Sequence, residues 1–317
     1  MLPFLSKAGG LVEGEARIGG TIKQPVVIGS GTWTDGFFQE KRWAHIIDNI
    51  RAEWQADSRK IYVKNAEVSH LGGAVTVTGH IDYPRFQTME FKADGKDLQV
   101  HDLYGIEGRV SGNAEIRQTP DTAELVGTLN LSKAQMSLGQ LETDIAQNIQ
   151  IIETNAKGDL LEIKDAKSQS KFYNKLKMDV GIVLPDSGTW VTGKGLKAEI
   201  GGGLKLVKNP GGPLKLVGEL QALRGTYSFQ GKELKITEGS LIFTGSPTPD
   251  PLLRIVSQKQ VKDILLQALV SGPLSKPRLS LSSIPALNRV DVMSYFMFDH
   301  PAGDLNASQS VQLQDGA

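Results

Sequence analysis

Cysteine is absent from this 317-residue chain. That excludes thiolate catalysis, disulfides and cysteine-based zinc sites, and leaves the redox compartment open, because an oxidising space tolerates cysteine-free proteins. There is no charge excess of either sign: 35 Lys and Arg balance 35 Asp and Glu. A neutral chain lacks the broad positive field that attracts phosphate backbones, which argues against nucleic acid as a partner. Aromatic residues are sparse at 6 %, whereas glycine is plentiful. No apolar run reaches the length of about 18 residues that a bilayer-spanning helix needs. The opening "MLPFLSKAGGLVEGEARIGG" has neither the basic start nor the apolar stretch of a signal peptide. The expectation is a cytosolic protein or an internal piece of a longer one.

What the chain has is alternation. "AVTVTGHI" sets Val75 and Val77 against Thr76 and Thr78, and "LKLVGEL" sets Leu214, Leu216, Gly218 and Leu220 against Lys215 and Glu219. Leu234 and Ile236, Leu241 and Phe243, and Leu279 and Leu281 repeat the spacing. Period two over four to eight residues indicates strands with one buried and one wet face. Clusters of Gly, Pro, Asn and Asp ("DYP", "KADGKD", "QTPD", "LPDSG", "KNPGGP", "SPTPDP") separate the strands, so the expected fold is all-β, an antiparallel meander. Two stretches depart from this. Trp43, Ile46, Ile47 and Ile50 are spaced for a helical insert near 37–50, and "PALNRVDVMSYFMF" predicts a short helix with Pro285 near its first turn. In "VKDILLQALVSG" local propensity favours helix, but its second half is assigned to a strand because it runs into Gly272.

A hexapeptide, Gly-x-aliphatic-x-x-Pro, occurs three times: Gly20, Ile22, Pro25; Gly79, Ile81, Pro84; and Gly272, Leu274, Pro277. It reads as a strand-turn-strand corner whose aliphatic residue points inward. A longer likeness aligns residues 111–138 with 201–229 across a one-residue gap. Gly112 meets Gly202, Pro120 meets Pro210, Gly127 meets Gly218, and Met136 and Leu138 meet Tyr227 and Phe229. Self-similarity of this kind suggests strand pairs stacked along one axis.

Motifs for chemistry do not hold. "GTWVTGKG" nearly spells a phosphate-binding loop, but Gly195 stands where the hydroxyl belongs, and a strand-like run follows where a helix should begin. His45, His70, His80, His101 and His300 lack metal-ligand spacing, and Ser30 is not in a nucleophile elbow. The carboxylates alternate with lysines, as on a solvated sheet face. No catalytic residue, metal or cofactor is expected, and the chain is expected not to be an enzyme.

Shape remains. About 18 to 22 strands at roughly 4.8 Å each make a sheet on the order of 90–100 Å long. If it only curls, well over about 1,000 Å² of apolar face lines a groove, more than soluble monomers expose. Either the sheet closes on itself, or something apolar such as acyl chains occupies the groove.

From Gly218 to Tyr295 the chain resembles a known family. "GTYSFQGKELKITEGSLIFTGSPTPDPLLRIVS", "VSGPLSKPRLSLSSIP" and "VDVMSY" are similar to the C-terminal conserved region of the TamB family. The resemblance is carried by Gly225, Tyr227, Phe229, Gly231, Gly239, Phe243, Gly245, Pro251, Leu253, Ile255, Gly272, Leu274, Pro277, Leu279, Leu281, Ser283, Ser294 and Tyr295. It implies an elongated, curled antiparallel β-sheet with a hydrophobic groove, a β-taco, in a periplasmic protein anchored to the inner membrane. The implied roles are moving phospholipid between inner and outer membranes and assisting outer-membrane protein assembly with a BamA-like, TamA-like barrel partner. The chain departs from the family in "FDHPAGD" after the Ser-Tyr helix, in a polar tail, and in having no anchor, so a fragment is expected.

The expected organisation is β-groove repeats over 1–110 and 111–200, a TamB-like segment over 201–300 and a disordered tail over 301–317. The expected lining of an acyl-chain groove is Val75, Val77, Leu129, Leu131, Leu214, Leu216, Leu220, Tyr227, Phe229, Leu234, Ile236, Leu241, Phe243, Leu253, Ile255, Leu279 and Leu281. A chaperone-like platform pairing nascent outer-membrane strands with a sheet edge, and a passive closed solenoid, stay open beside it.

Overall fold

The computed structural model describes residues 5–22, 24–40, 46–70, 72–83, 85–103, 106–137, 171–193, 195–229, 232–246 and 250–315. Sixteen strands within them form one curled sheet. The first eight are β1 (Leu5–Thr21), β2 (Gln24–Glu40), β3 (Ile47–Ala56), β4 (Lys60–His70), β5 (Gly73–Asp82), β6 (Met89–Leu103), β7 (Ile106–Gln118) and β8 (Ala123–Ser137). They make one antiparallel meander. A second meander consists of β11 (Leu196–Lys208), β12 (Leu214–Phe229), β13 (Lys232–Thr244), β14 (Leu252–Val261), β15 (Ile264–Pro273) and β16 (Arg278–Ile284). Between them β9 (Leu176–Leu184) and β10 (Trp190–Gly193) share one slot, both parallel to β8 and antiparallel to β11. Fifteen positions at roughly 4.8 Å each make a sheet about 70 Å long. It is shorter than the expected span because the strands are fewer and longer, up to 17 residues.

The alternating residues form these strands because each can bury one side and wet the other. On the wet face, opposite charges meet across neighbouring strands: Lys92 with Glu115, Arg117 with Glu90, Lys177 with Glu124, and Arg254 with Glu238. The internal likeness appears as one register used twice. Gly112 of β7 faces Leu129 of β8, as Gly202 of β11 faces Leu220 of β12. Gly218 of β12 has a φ of 132°, and a Cβ there would lie 2.3 Å from the Gly203 carbonyl oxygen. Only glycine permits that close approach.

Several expectations are corrected. Residues 37–40 and 47–50 are strand rather than helix, while 41–45 lie outside the described residues. The three-residue spacing of Ile47 and Ile50 misled because β3 bulges between them, Ile47 facing Phe38 and Ile50 facing Gly36 of β2. Both halves of 261–272 are strand, turning at Lys262 and Asp263. All three hexapeptides sit at strand-turn-strand corners; Ile81 is half-buried on the face of Val75 and Val77, as expected, but Ile22 is fully exposed and Leu274 half-exposed, so these two do not point inward. Ile22 and Leu274 occupy the turn itself, beyond the last paired residues.

The helix expected near 285–298 is α2 (Arg289–Phe298), α1 being the short Lys171–Lys175. Its N-cap is Asn288, and Pro285 lies before it rather than in its first turn. The tail, expected to be disordered, contains a 3-10 turn (Ala302–Asp304) and α3 (Ala307–Asp315). Asn306 and Gln309 cap α3 reciprocally, each side-chain oxygen accepting from the other's backbone N–H.

Candidate functional site

The apolar face is organised in rows across the strands, because residues paired in register share a face. One row runs from β4 to β13 as Val68, Val75, Gly95, Gly112, Leu129, Ile182, Leu204, Gly218 and Phe243. Beside it runs Ala66, Val77, Ala93, Ala114, Gly127, Val180, Leu206 and Leu216. A third row, Gly202, Leu220, Leu241, Leu253 and Gly272, spans β11 to β15. Curling turns these rows into the inside of a trough. Midway, Leu131, Leu184, Ile200 and Leu220 meet in one buried cluster. At the margins the face stays open, Leu214 being 40 % and Leu279 54 % exposed.

Toward β16 the trough is occupied by α2. Val292 and Phe296 pack on Leu234, Val261, Leu266 and Ala268, and Phe296 and Leu266 are fully buried. The helix is fixed at both ends. The Asn288 side chain accepts from the Asp291 N–H at 2.9 Å, and Ser283 Oγ accepts from the Leu287 N–H at 3.0 Å. At the C-cap, Asp299 accepts from both Lys232 and Lys259. Partial burial raises the Asp299 pKa, but the two lysines outweigh it and the net shift is below the ordinary carboxylate value. Between α2 and the wall is a cavity of about 360 Å³, lined by Leu196, Tyr227, Leu234, Ile255, Ser257, Ala268, Val270, Leu279, Leu281 and Phe296.

The opposite rim holds a buried cation. Lys208 continues the inner row of Leu204 and Leu206 and is 1 % exposed. Its ammonium donates to the carbonyls of Leu176 and Asn209, both at 3.2 Å, and lies 4.4 Å from the ring centre of Tyr173 on α1. Among the described residues, no group of three or more His, Asp and Glu side chains is placed to hold a metal ion.

Residues 65–317 match the family described as the TamB C-terminal domain. The chain belongs to the TamB family. A protein of Haemophilus influenzae, "Translocation and assembly module subunit TamB", is 24 % identical over 261 residues, covering 77 % of this chain and 19 % of that protein. The chain thus spans about a fifth of that relative's length. The TamB match begins within β4, yet the apolar row continues outside it through Ala52, Trp33 and Val12 on β3, β2 and β1. The sheet is continuous across the family boundary.

Register places all seventeen expected lining residues on this one face. Phe229 does so by its pairing with Lys232, its side chain lying outside what is described. The structure divides them by exposure rather than bringing them to one point. Leu131, Leu220, Leu234, Ile236 and Leu253 are buried, while Val75, Val77, Leu129, Leu216, Tyr227, Leu241, Phe243, Ile255 and Leu281 are half-buried. Sequence reasoning missed the lysines of the rims, although "LKLVK" gives Lys208 the parity of its leucines. The near-match to a phosphate-binding loop is the strand β10 and its turn, followed by β11 rather than by a helix. No helix among the described residues is long and apolar enough to cross a membrane.

Proposed function

We propose that the trough is a non-catalytic conduit for phospholipid acyl chains between inner and outer membranes, working in the periplasm as part of a larger envelope protein. The observation that carries this is the unbroken apolar row from β4 to β13, made of aliphatic, glycine and aromatic residues with no charge in it. Such a wall gives a hydrocarbon chain no fixed polar partner, so a chain can slide along it while its headgroup stays in water. Margins as open as Leu214 and Leu279 leave room for the headgroup side. The relative's name, a subunit of a translocation and assembly module, agrees with a transport or assembly role for the segment it shares. We propose a partner of the BamA-like barrel class, as the resemblance to the TamB family implies.

A second reading, a platform for nascent outer-membrane strands, is favoured by β1. Among the described residues it pairs only with β2, and the edge of a long strand is the kind of surface to which a further strand can add. Photo-crosslinkers at Leu216 and Phe243 and along β1 separate the two. Lipid captured at Leu216 and Phe243, and lost when these are changed to Asp in a folded chain, supports the conduit. Polypeptide captured along β1 with no lipid in the trough supports the platform. Transport that persists in folded Leu216→Asp and Phe243→Asp chains overturns the conduit.

A further inference from the structure

The outer face of β10 to β14 carries a hollow of about 770 Å³ that the trough does not use. Trp190, Lys197, Arg224, Thr226, Lys235 and Gln258 line it. It lies back to back with the apolar cavity, since Lys197, Thr226, Lys235 and Gln258 adjoin Leu196, Tyr227, Leu234 and Ser257 along the same strands. Register shifts at Glu199/Ile200 and Ile236/Glu238 bend the sheet around it.

On this face several cations pair with carboxylates on neighbouring strands, as Lys92, Arg117, Lys177, Lys205 and Arg254 do, while Lys96 and Lys215 have no carboxylate partner among the described residues. Here Lys197 and Lys235 have no carboxylate partner among the described residues, whereas the other two cations of the lining are paired, Lys259 with Asp299 and Arg224 with Glu199, and Glu233 is the carboxylate of the lining. Arg224 is held in place by a buried group. The side chain of Glu199 is 5 % exposed, accepts from the Gly188 N–H at 2.6 Å and from Arg224 Nε at 2.5 Å. That contact sets the guanidinium centre 5.5 Å over the Trp190 ring, while the Lys197 ammonium lies 5.8 Å over the same ring. The terminal nitrogens of Arg224 stay available, since the guanidinium meets Glu199 through Nε.

We propose that this hollow binds a phosphate-bearing headgroup, a phosphomonoester or phosphodiester. Arg224 meets two oxygens through its planar fork, Lys197 and Lys235 supply point charges, and the Thr226 hydroxyl and Gln258 amide complete the shell. The Trp190 ring packs against the organic part of the headgroup. The inference is independent of the conduit, because the two sites occupy opposite faces.

The test uses the whole chain, with titration of sn-glycerol 3-phosphate and inorganic phosphate, and co-sedimentation with vesicles of phosphatidylglycerol or phosphatidylcholine. The chain is expected to bind a phosphate probe or the anionic vesicles, more weakly as salt rises. The exposed double variant Lys197→Glu/Lys235→Glu is expected to lose at least about tenfold in affinity, with circular dichroism and trough-bound lipid unchanged. Binding to vesicles alone assigns a headgroup within a bilayer, and binding to the soluble probes as well assigns the phosphoryl group itself. Absence of binding to every probe, equal binding by the variant, or polyglutamate competing as well as phosphate overturns the proposal.

Discussion

Replacing Gly218 by alanine tests whether glycine bends shape the trough wall. Gly218 lies between Leu204 and Phe243 on the inner face, with a φ of 132°. A side chain in such a conformation costs about 1–3 kcal/mol before any clash is counted. The added Cβ would also meet the Gly203 oxygen at 2.3 Å and the Leu204 Cα at 3.0 Å, both backbone atoms of β11, so β11 and β12 must separate. Gly19 is the matched control. A Cβ there meets nothing within 4 Å, and Gly19→Ala should be neutral or stabilising by about 0.4–1 kcal/mol through the unfolded chain. Urea unfolding followed by tryptophan fluorescence reads the difference, with hydrogen exchange over β11 to β13 locating it. Gly218→Ala is expected to shift the midpoint down and raise exchange in those strands, while Gly19→Ala does neither. Equal effects of the two substitutions, or a Gly218→Ala cost under about 0.5 kcal/mol, would refute the reasoning.

Phe296→Ala removes a fully buried ring from the plug between α2 and the sheet, with an expected loss of about 3–5 kcal/mol of local stability. Proteolysis after α2 should speed up while β1 to β8 keep their exchange protection. Acid should loosen the same helix. The folded pKa of Asp299 is lowered, so its stabilisation is fully present above the ordinary carboxylate value and is lost as pH falls through the folded one. Melting of α2, followed by a label on its exposed face, should therefore lose this pH dependence in Asp299→Asn. Lys208→Ala leaves the Leu176 and Asn209 carbonyls without their donor and should cost about 1–3 kcal/mol, independent of salt because no carboxylate among the described residues pairs with the lysine. Thermal melts at low and high salt check this.

The rows of the trough were legible because alternation fixes which face a residue takes. Once Leu214, Leu216 and Leu220 are read as one face, antiparallel pairing carries that face to Leu241 and Leu253. The repeat was legible for a related reason, since Gly112 and Gly202 mark one bend used twice. Three features were not. The parallel slot of β9 and β10 depends on a partner chosen at long range, and nothing in "LKMDVGIVL" encodes the direction of β8. The strand at 47–50 was hidden because a bulge shifts parity between Ile47 and Ile50, so the two isoleucines fall at helical spacing. The tail helix was misjudged on polarity, although Asn306 and Gln309 are spaced as a capping pair and Leu313 is buried. The plugging role of α2 was not legible either. Its own apolar pattern is weak, and only the sheet beneath it shows why Phe296 and Val292 are buried.

Native mass spectrometry of the purified chain, with solvent extraction of whatever it carries, tests the conduit most directly. The trough as described predicts bound phospholipid that extraction removes, and a folded Leu216→Asp/Phe243→Asp chain that carries none. A chain purified from membranes that flies free of lipid, or a double variant that retains the wild-type load, would contradict it.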